Sequence, residues 1–346
     1  MLWHFSGSSN AISDRHRIRR TLGLTFLFAG FVMMTLTGCD SEAMMGQKAS
    51  DRETALRVLG TDARMMAYVD VENQIALTRD FAERNGELAA AMDSVLKRVL
   101  EETGIRIEED VHGIYVAIQD FSDNAQGAAL AFVEYDQERA TSIIRDTNEF
   151  TPVQTQWPVD AFTVEKEGDA IAVAFVEGRL VMLATGTDKL ITMLDRAYAE
   201  SGQTTMDPFM EAVADRDSWM VVRHLDEYTA ELADAELDGE AAMLKPLLTS
   251  LQDVAIGVDQ DSKSMDARFL IRLISTVAVD DYTKLFTGVR AMVRMQVRDL
   301  PAARDVIDDI DIRSDDNWVR VDMEVDLEDM EDLGKQLREE MGLSWD

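Results

Sequence analysis

Gly113-Ile-Tyr-Val-Ala-Ile118 and Ala128-Ala-Leu-Ala-Phe-Val-Glu-Tyr135 are two short β-type runs, parted by Ser122-Asp-Asn-Ala-Gln-Gly127. Aromatic and β-branched residues fill both runs, and the connector is turn material, so the pair reads as a hairpin. A hairpin pairs its strands antiparallel, whereas parallel strands need a crossover of a dozen or more residues. This stretch therefore points away from a doubly wound parallel sheet and towards an antiparallel one.

The pattern extends in both directions. Upstream, Arg64-Met-Met-Ala-Tyr-Val-Asp-Val71 reads as a strand. Over 87–103, Leu88, Met92, Val95, Leu96, Val99 and Leu100 recur at the spacing of one helical face, with Gly104 as a stop. Downstream, a helix is predicted from Asp136. Three β-runs then follow (162–165, 170–176 and 180–184, with Gly168 and Gly178 at the turns), and then a helix from Thr187. The second half repeats this order. Ser218-Trp-Met-Val-Val-Arg-His224 precedes acidic helices to Leu251. The next hairpin pairs Val254-Ala-Ile-Gly-Val258 with Ala267-Arg-Phe-Leu-Ile-Arg-Leu-Ile274. A helix over 279–297, β-runs at 306–312 and 318–325, and a terminal helix carrying Leu327, Met330, Leu333, Leu337 and Met341 complete it.

The expected fold is α+β: two similar units, each an antiparallel sheet with helices packed on one face. The units are placed at 57–203 and 204–346, with Gly202–Asp217 as the boundary. The repeat of about 140 residues is domain-sized, unlike the short period of a solenoid.

The chain has 346 residues, and 66 Asp plus Glu against 34 Lys plus Arg give a formal charge of −32. Such acidity opposes phosphate backbones, so no nucleic-acid partner is expected. With 46% apolar residues the chain can bury a core and is not a disordered acidic tail. A single cysteine excludes a disulfide framework, a multi-cysteine zinc site and an iron–sulfur cluster. Lysine is scarce, at eight residues, and few lysines beside many acids resemble proteins of salt-tolerant organisms.

Residues 1–38 differ from the rest. Arg15, Arg17, Arg19 and Arg20 precede the uncharged run Thr21–Leu36, the layout of a secretory signal. The run ends Leu36-Thr37-Gly38-Cys39, which resembles the lipobox of bacterial lipoproteins. That resemblance covers only the first forty residues. It implies cleavage between Gly38 and Cys39 and a diacylglycerol thioether on Cys39, with acylation of the new amino terminus. The competing reading is an uncleaved anchor, although the run is near the lower length limit for spanning a bilayer. Asp40 resembles the sorting residue that retains enterobacterial lipoproteins in the inner membrane. The periplasmic face of the inner membrane is therefore favoured over the outer membrane. Residues 39–56 lack periodicity and read as a tether. From residue 39 onward the charge is −35, so the acidity belongs to the exported part.

No catalytic motif stands out. Beyond the signal segment only His112 and His224 are imidazoles, and two imidazoles need added carboxylates to hold a transition metal. There is no Gly-x-Ser-x-Gly elbow, His-Glu-x-x-His helix or phosphate loop. The acidic clusters Glu108-Glu109-Asp110, Asp308-Asp309 with Asp311, Asp315-Asp316 and Asp326 through Asp332 read as solvated faces. Asp259-Gln-Asp261-Ser-Lys263-Ser starts like a calcium loop, but Lys263 occupies a ligand position, so it reads as a hairpin turn. The 20 methionines read as adaptable core packing, with a Met-lined apolar groove as the more specific variant.

The expected function is a lipid-anchored envelope protein with a non-catalytic binding or scaffolding role, no cofactor and no metal. Its expected partners are the membrane, through the N-terminal lipid, and an envelope protein or apolar ligand. The alternatives are an apolar-ligand carrier or sensor with a groove between sheet and helices, and an envelope hydrolase using acids or His112 and His224.

Overall fold

The computed structural model describes residues 45–83, 86–121, 126–146, 150–166, 169–199, 206–227, 249–261, 263–298 and 300–327. Cys39, Gly38, Asp40, the acidic helices expected after His224 and the expected terminal helix lie outside them.

Among the described residues twelve strands form one antiparallel sheet. In chain order they are β1 (Met65–Asp70), β2 (Val111–Ile118), β3 (Gly127–Val133), β4 (Thr151–Pro152), β5 (Asp160–Lys166), β6 (Asp169–Val176), β7 (Leu180–Thr185), β8 (Ser218–Val222), β9 (Leu251–Gln260), β10 (Ser264–Leu273), β11 (Asp311–Asp315) and β12 (Trp318–Asp326). The spatial order is β11-β12-β10-β9-β8-β1-β2-β3-β7-β6-β5-β4. The antiparallel hairpins β2/β3 and β9/β10 are where the sequence placed them. In the three-residue β6/β7 turn Glu177 and Gly178 both have positive φ, a backbone conformation that glycine adopts without strain.

The expectation of two separate sheets is corrected. β1 and β8, each expected to open a unit, pair antiparallel from Met65↔Val222 to Val69↔Ser218. The physical cause is the backbone: a strand buried along its whole length, as β1 is, cannot leave one edge of N–H and C=O groups unpaired. Hydrogen bonds of 2.9 Å from Asp70 N to Asp217 O and 2.7 Å from Arg223 N to Arg64 O bracket this seam.

Helices cover both faces of the sheet, another departure from expectation. On one face lie α1 (Met45–Leu59), α6 (Thr187–Tyr198) and the short α7 (Pro208–Glu211). Their Ala55, Leu56, Val58, Leu59, Leu190, Met193, Leu194, Phe209 and Met210 join Tyr115, Leu130, Met182 and Trp219 in the main core. On the other face α2 (Val71–Glu83) and α4 (Ile107–Asp110) pack Ile75 and Ile107 with Ile114 and Ala131, while α3 (Gly86–Thr103) lies on α2. There α5 (Gln137–Asp146) brings Ala140 and Ile144 against Phe162, Val173 and Phe175. Also on this face, α8 (Thr276–Gln296) sets Val279, Tyr282 and Phe286 against Leu273, Val319 and Val321. The strands explain the double cover. β2 and β3 carry apolar residues at both inward and outward positions, so neither face is suited to water alone.

Three further expectations change. The tether of residues 39–56 overlaps α1, because Ala55, Leu56, Val58 and Leu59 supply a buried stripe. The proposed boundary loop is core from Phe209 to Ala214, with Phe209 and Val213 fully buried. The β-run expected at 306–312 starts as helix α9 (Pro301–Asp308), led by Pro301 at its first turn, and only Asp311 and Ile312 enter a strand.

Candidate functional site on the apolar face of the sheet

Directly paired residues of an antiparallel sheet point to the same side, so the register traces a row across it. The row runs Pro152–Phe162–Val173–Leu183–Ala129–Val116–Ala67–Met220–Ile256–Phe269–Val321–Ile312. It crosses all twelve strands without a polar side chain. Its ends are roofed by α5 and α8. Between them Leu183 is 41% and Phe269 38% exposed, Val116, Ala129, Met220 and Ile256 are half-buried, and Ala67, on the strand next to the seam, is buried. A band of this kind, open to water at large apolar side chains, is the surface feature that marks a binding site.

The opposite face is closed. Tyr68 stacks on Tyr115 at 4.4 Å between ring centroids, and Tyr115 meets Phe132 and Trp219 edge-on. Gly113 is required here, since a Cβ in its place would sit 2.7 Å from Tyr68 Cε2.

Beside these aromatics the closed face changes to charge under the second half. Arg216, 6% exposed, reaches Asp259 at 2.6 Å and Asp266 at 2.7 Å. Burial pulls its guanidinium down, but the two carboxylates outweigh this and hold it above its ordinary value. Arg268 bonds Asp322 at 2.9 Å, and Arg320 pairs with the same carboxylate. Arg272 bonds Asp207 at 2.7 Å and Asp253 at 3.1 Å. Every acid named is matched by an arginine, so this ladder locks strands together and has no open valence for a substrate. Sequence reading missed it, although Asp266, Arg268 and Arg272 share the parity of one strand face.

The ladder makes stability depend on acid. For Asp207, burial raises the carboxyl, but hydrogen bonds from Arg272 and the Phe209 N–H prevail and hold it below its ordinary value. For Asp322, Arg320 and Arg268 likewise overcome burial. A carboxyl depressed in the folded state stabilises above its unfolded pKa of about 4 and loses that contribution as pH falls through the folded value. The melting temperature is therefore expected to drop below about pH 4, and to drop less in Asp207→Asn, when followed by circular dichroism. Identical pH profiles for the two proteins would overturn this assignment.

The two histidines are not brought into one arrangement. His112 lies in β2, with Nδ1 3.8 Å from Glu72 and Nε2 3.6 Å from Glu134. His224 follows β8 with φ 57°, and its N–H donates to Asp253 at 3.0 Å. Among the described residues no group of three His, Cys, Asp or Glu could hold a metal ion. The Asp259–Ser264 segment is the β9/β10 hairpin turn, where Asp261 accepts from the N–H groups of Lys263 and Ser264, both at 2.7 Å. Glu109 and Asp110 pair with Arg106, Glu108 with Arg79, Asp308 with Arg294 and Asp311 with Arg313, as solvated acidic faces do.

The chain is thus a mixed helix-and-sheet protein built on one large antiparallel sheet. No family model matches this sequence, and no curated protein matches it. Solved structures similar in outline include crystal forms of TP0453. Crystal form IV of TP0453 has 11% identity and a TM-score of 0.46, over 80% of this chain and 94% of that one. Crystal form III of TP0453 has 12% identity and a TM-score of 0.44, over 80% of this chain and 95% of that one.

Proposed function

We propose that this chain is a lipid-anchored protein of the cell envelope with a non-catalytic binding role, and that its binding surface is the open apolar row of the sheet. The carrying observation is the twelve-strand row with Leu183 and Phe269 open to water. The residues 36–39 support the anchor, with Gly38 and Cys39 at the cleavage site and Asp40 favouring the periplasmic face of the inner membrane. Burying one phenylalanine on binding contributes roughly 1.5–3 kcal/mol. With a photo-cross-linking amino acid at position 183, intact membranes are expected to yield one discrete adduct. Phe269→Asp in the same chain is expected to reduce it by at least about tenfold, with the melting temperature checked in parallel. No adduct, or an adduct indifferent to Phe269→Asp, would overturn the reading.

A second reading, carriage of an apolar ligand such as a lipid on the same face, is favoured by the length of the row. Native mass spectrometry separates the two: a co-purifying lipid mass lost in Phe269→Asp supports carriage, and a protein adduct supports docking. We further propose that the halves are two copies of one unit. Strands β1-β2-β3 and β8-β9-β10 run outward from the seam in the same order, which supports that reading.

A further inference from the structure

We propose that α8 docks on an anionic lipid surface. The helix has 21 residues, about 31 Å at 1.5 Å per residue. At 100° per residue, Val279, Tyr282 and Phe286 form one stripe, and that stripe packs on the sheet. On the neighbouring arc Leu285, Val289, Met292 and Met295 face water, Met292 being 50% and Met295 68% exposed. The helix therefore presents a second apolar face that no described element covers.

Charge selects the occupant. In a chain of net −32, residues 282–298 carry Lys284, Arg290, Arg294 and Arg298 and no acid, whereas α9 and its end carry Arg304 with Asp305, Asp308 and Asp309. Arg290 donates to the carbonyls of Ile307 and Asp308 and Arg294 pairs with Asp308, so they also hold α9 beside the helix. Lys284 is well exposed, with Asp281 3.9 Å away on the preceding turn. The acids Asp280 and Asp281 are confined to the start of the helix. An exposed apolar arc flanked by cations is the pattern of a helix lying in a membrane interface, where anionic headgroups meet the cations and acyl chains meet the apolar arc. A second copy fits less well, because a two-fold contact through α8 would set each basic flank against its own kind. The acidic remainder of the chain is repelled by the same lipid, which leaves this side as the one that approaches. The inference rests on the envelope location proposed above, but its test does not use the lipid anchor.

The test uses the full chain with Cys39→Ser, so that Met292→Cys can carry an environment-sensitive fluorophore alone. Residues 21–36 are apolar enough to bring the chain to vesicles, and the label reports only whether α8 follows. A blue shift at 292 is expected on phosphatidylglycerol–phosphatidylcholine vesicles and not on pure phosphatidylcholine. None is expected for the same label at Val95→Cys, an exposed position of α3. Lys284→Gln is expected to raise the half-saturating lipid concentration about fivefold, and about 0.5 M NaCl to abolish the shift. Absence of the shift while the chain sediments with phosphatidylglycerol vesicles would overturn the proposal. An equal shift on pure phosphatidylcholine would do the same. A shift that grows with protein concentration before lipid is added would assign the face to a second copy instead. The cross-link at position 183 reads the sheet alone, so failure of the binding-face reading and failure of this one are separately visible.

Discussion

Phe209→Ala is expected to lower the free energy of unfolding by about 3–5 kcal/mol, the range for removing a fully buried aromatic side chain. Phe209 has no exposed surface, and three elements converge on it. Its ring centroid lies 5.5 Å from that of Trp318 on β12, the guanidinium of Arg272 on β10 sits 4.5 Å above its face, and its own N–H is capped by Asp207. Truncation leaves a cavity and also removes the surface against which Arg272 is held over Asp207 and Asp253. A domain typically has only 5–15 kcal/mol to lose. Urea unfolding followed by tryptophan fluorescence should show a lower midpoint with an unchanged slope, because the fold is weakened and not expanded. Phe209→Leu should recover most of the loss, since volume is largely kept. A loss below about 1 kcal/mol for Phe209→Ala would overturn this placement of the ring in the core.

Cys39→Ser is expected to abolish stable membrane attachment and to leave the precursor uncleaved. Each buried CH₂ contributes roughly 0.8 kcal/mol, so a single acyl chain holds marginally and two or more hold firmly. Serine offers no thiolate for thioether formation, so the whole of that contribution is lost together. Fractionation after a high-salt wash, with the precursor followed by its mass, provides the check. Unchanged processing and attachment would overturn the lipid-anchor proposal. Attachment that persists with the precursor uncleaved would instead assign residues 21–36 as an uncleaved anchor.

The hairpins were legible because their information is local. In β2/β3 and β9/β10 the apolar runs and the polar turns between them are adjacent in sequence, and so are the partners. The same holds for the helical stripes of α3, α6 and α8. The seam was not legible, because β1 and β8 are separated by some 150 residues and nothing in Met65–Asp70 names its partner. Nor was the double cover: short apolar runs say that a strand is buried without saying on how many sides. The α1 helix was obscured by its polar first half, since only Ala55 to Leu59 carry the apolar stripe. Of the candidate site, the exposed methionines of α8 could be seen in the sequence only as part of an apolar helix. Which side of that helix meets the sheet depends on β9, β10 and β12 being in place.

By itself the sequence determined a chain with an acidic body, a single cysteine after an apolar run, and alternating strands and helices that pair antiparallel. Those follow from composition and from periodicities of two and 3.6 residues, which any window of the chain displays. Only the tertiary structure decided that twelve described strands make one sheet, that its apolar row stays open at Leu183 and Phe269, and that Arg216, Arg268, Arg272 and Arg320 pair with Asp207, Asp253, Asp259, Asp266 and Asp322. Each of these depends on residues distant in sequence becoming neighbours. Backbone hydrogen bonding at the β1/β8 seam fixes that neighbourhood for the whole sheet.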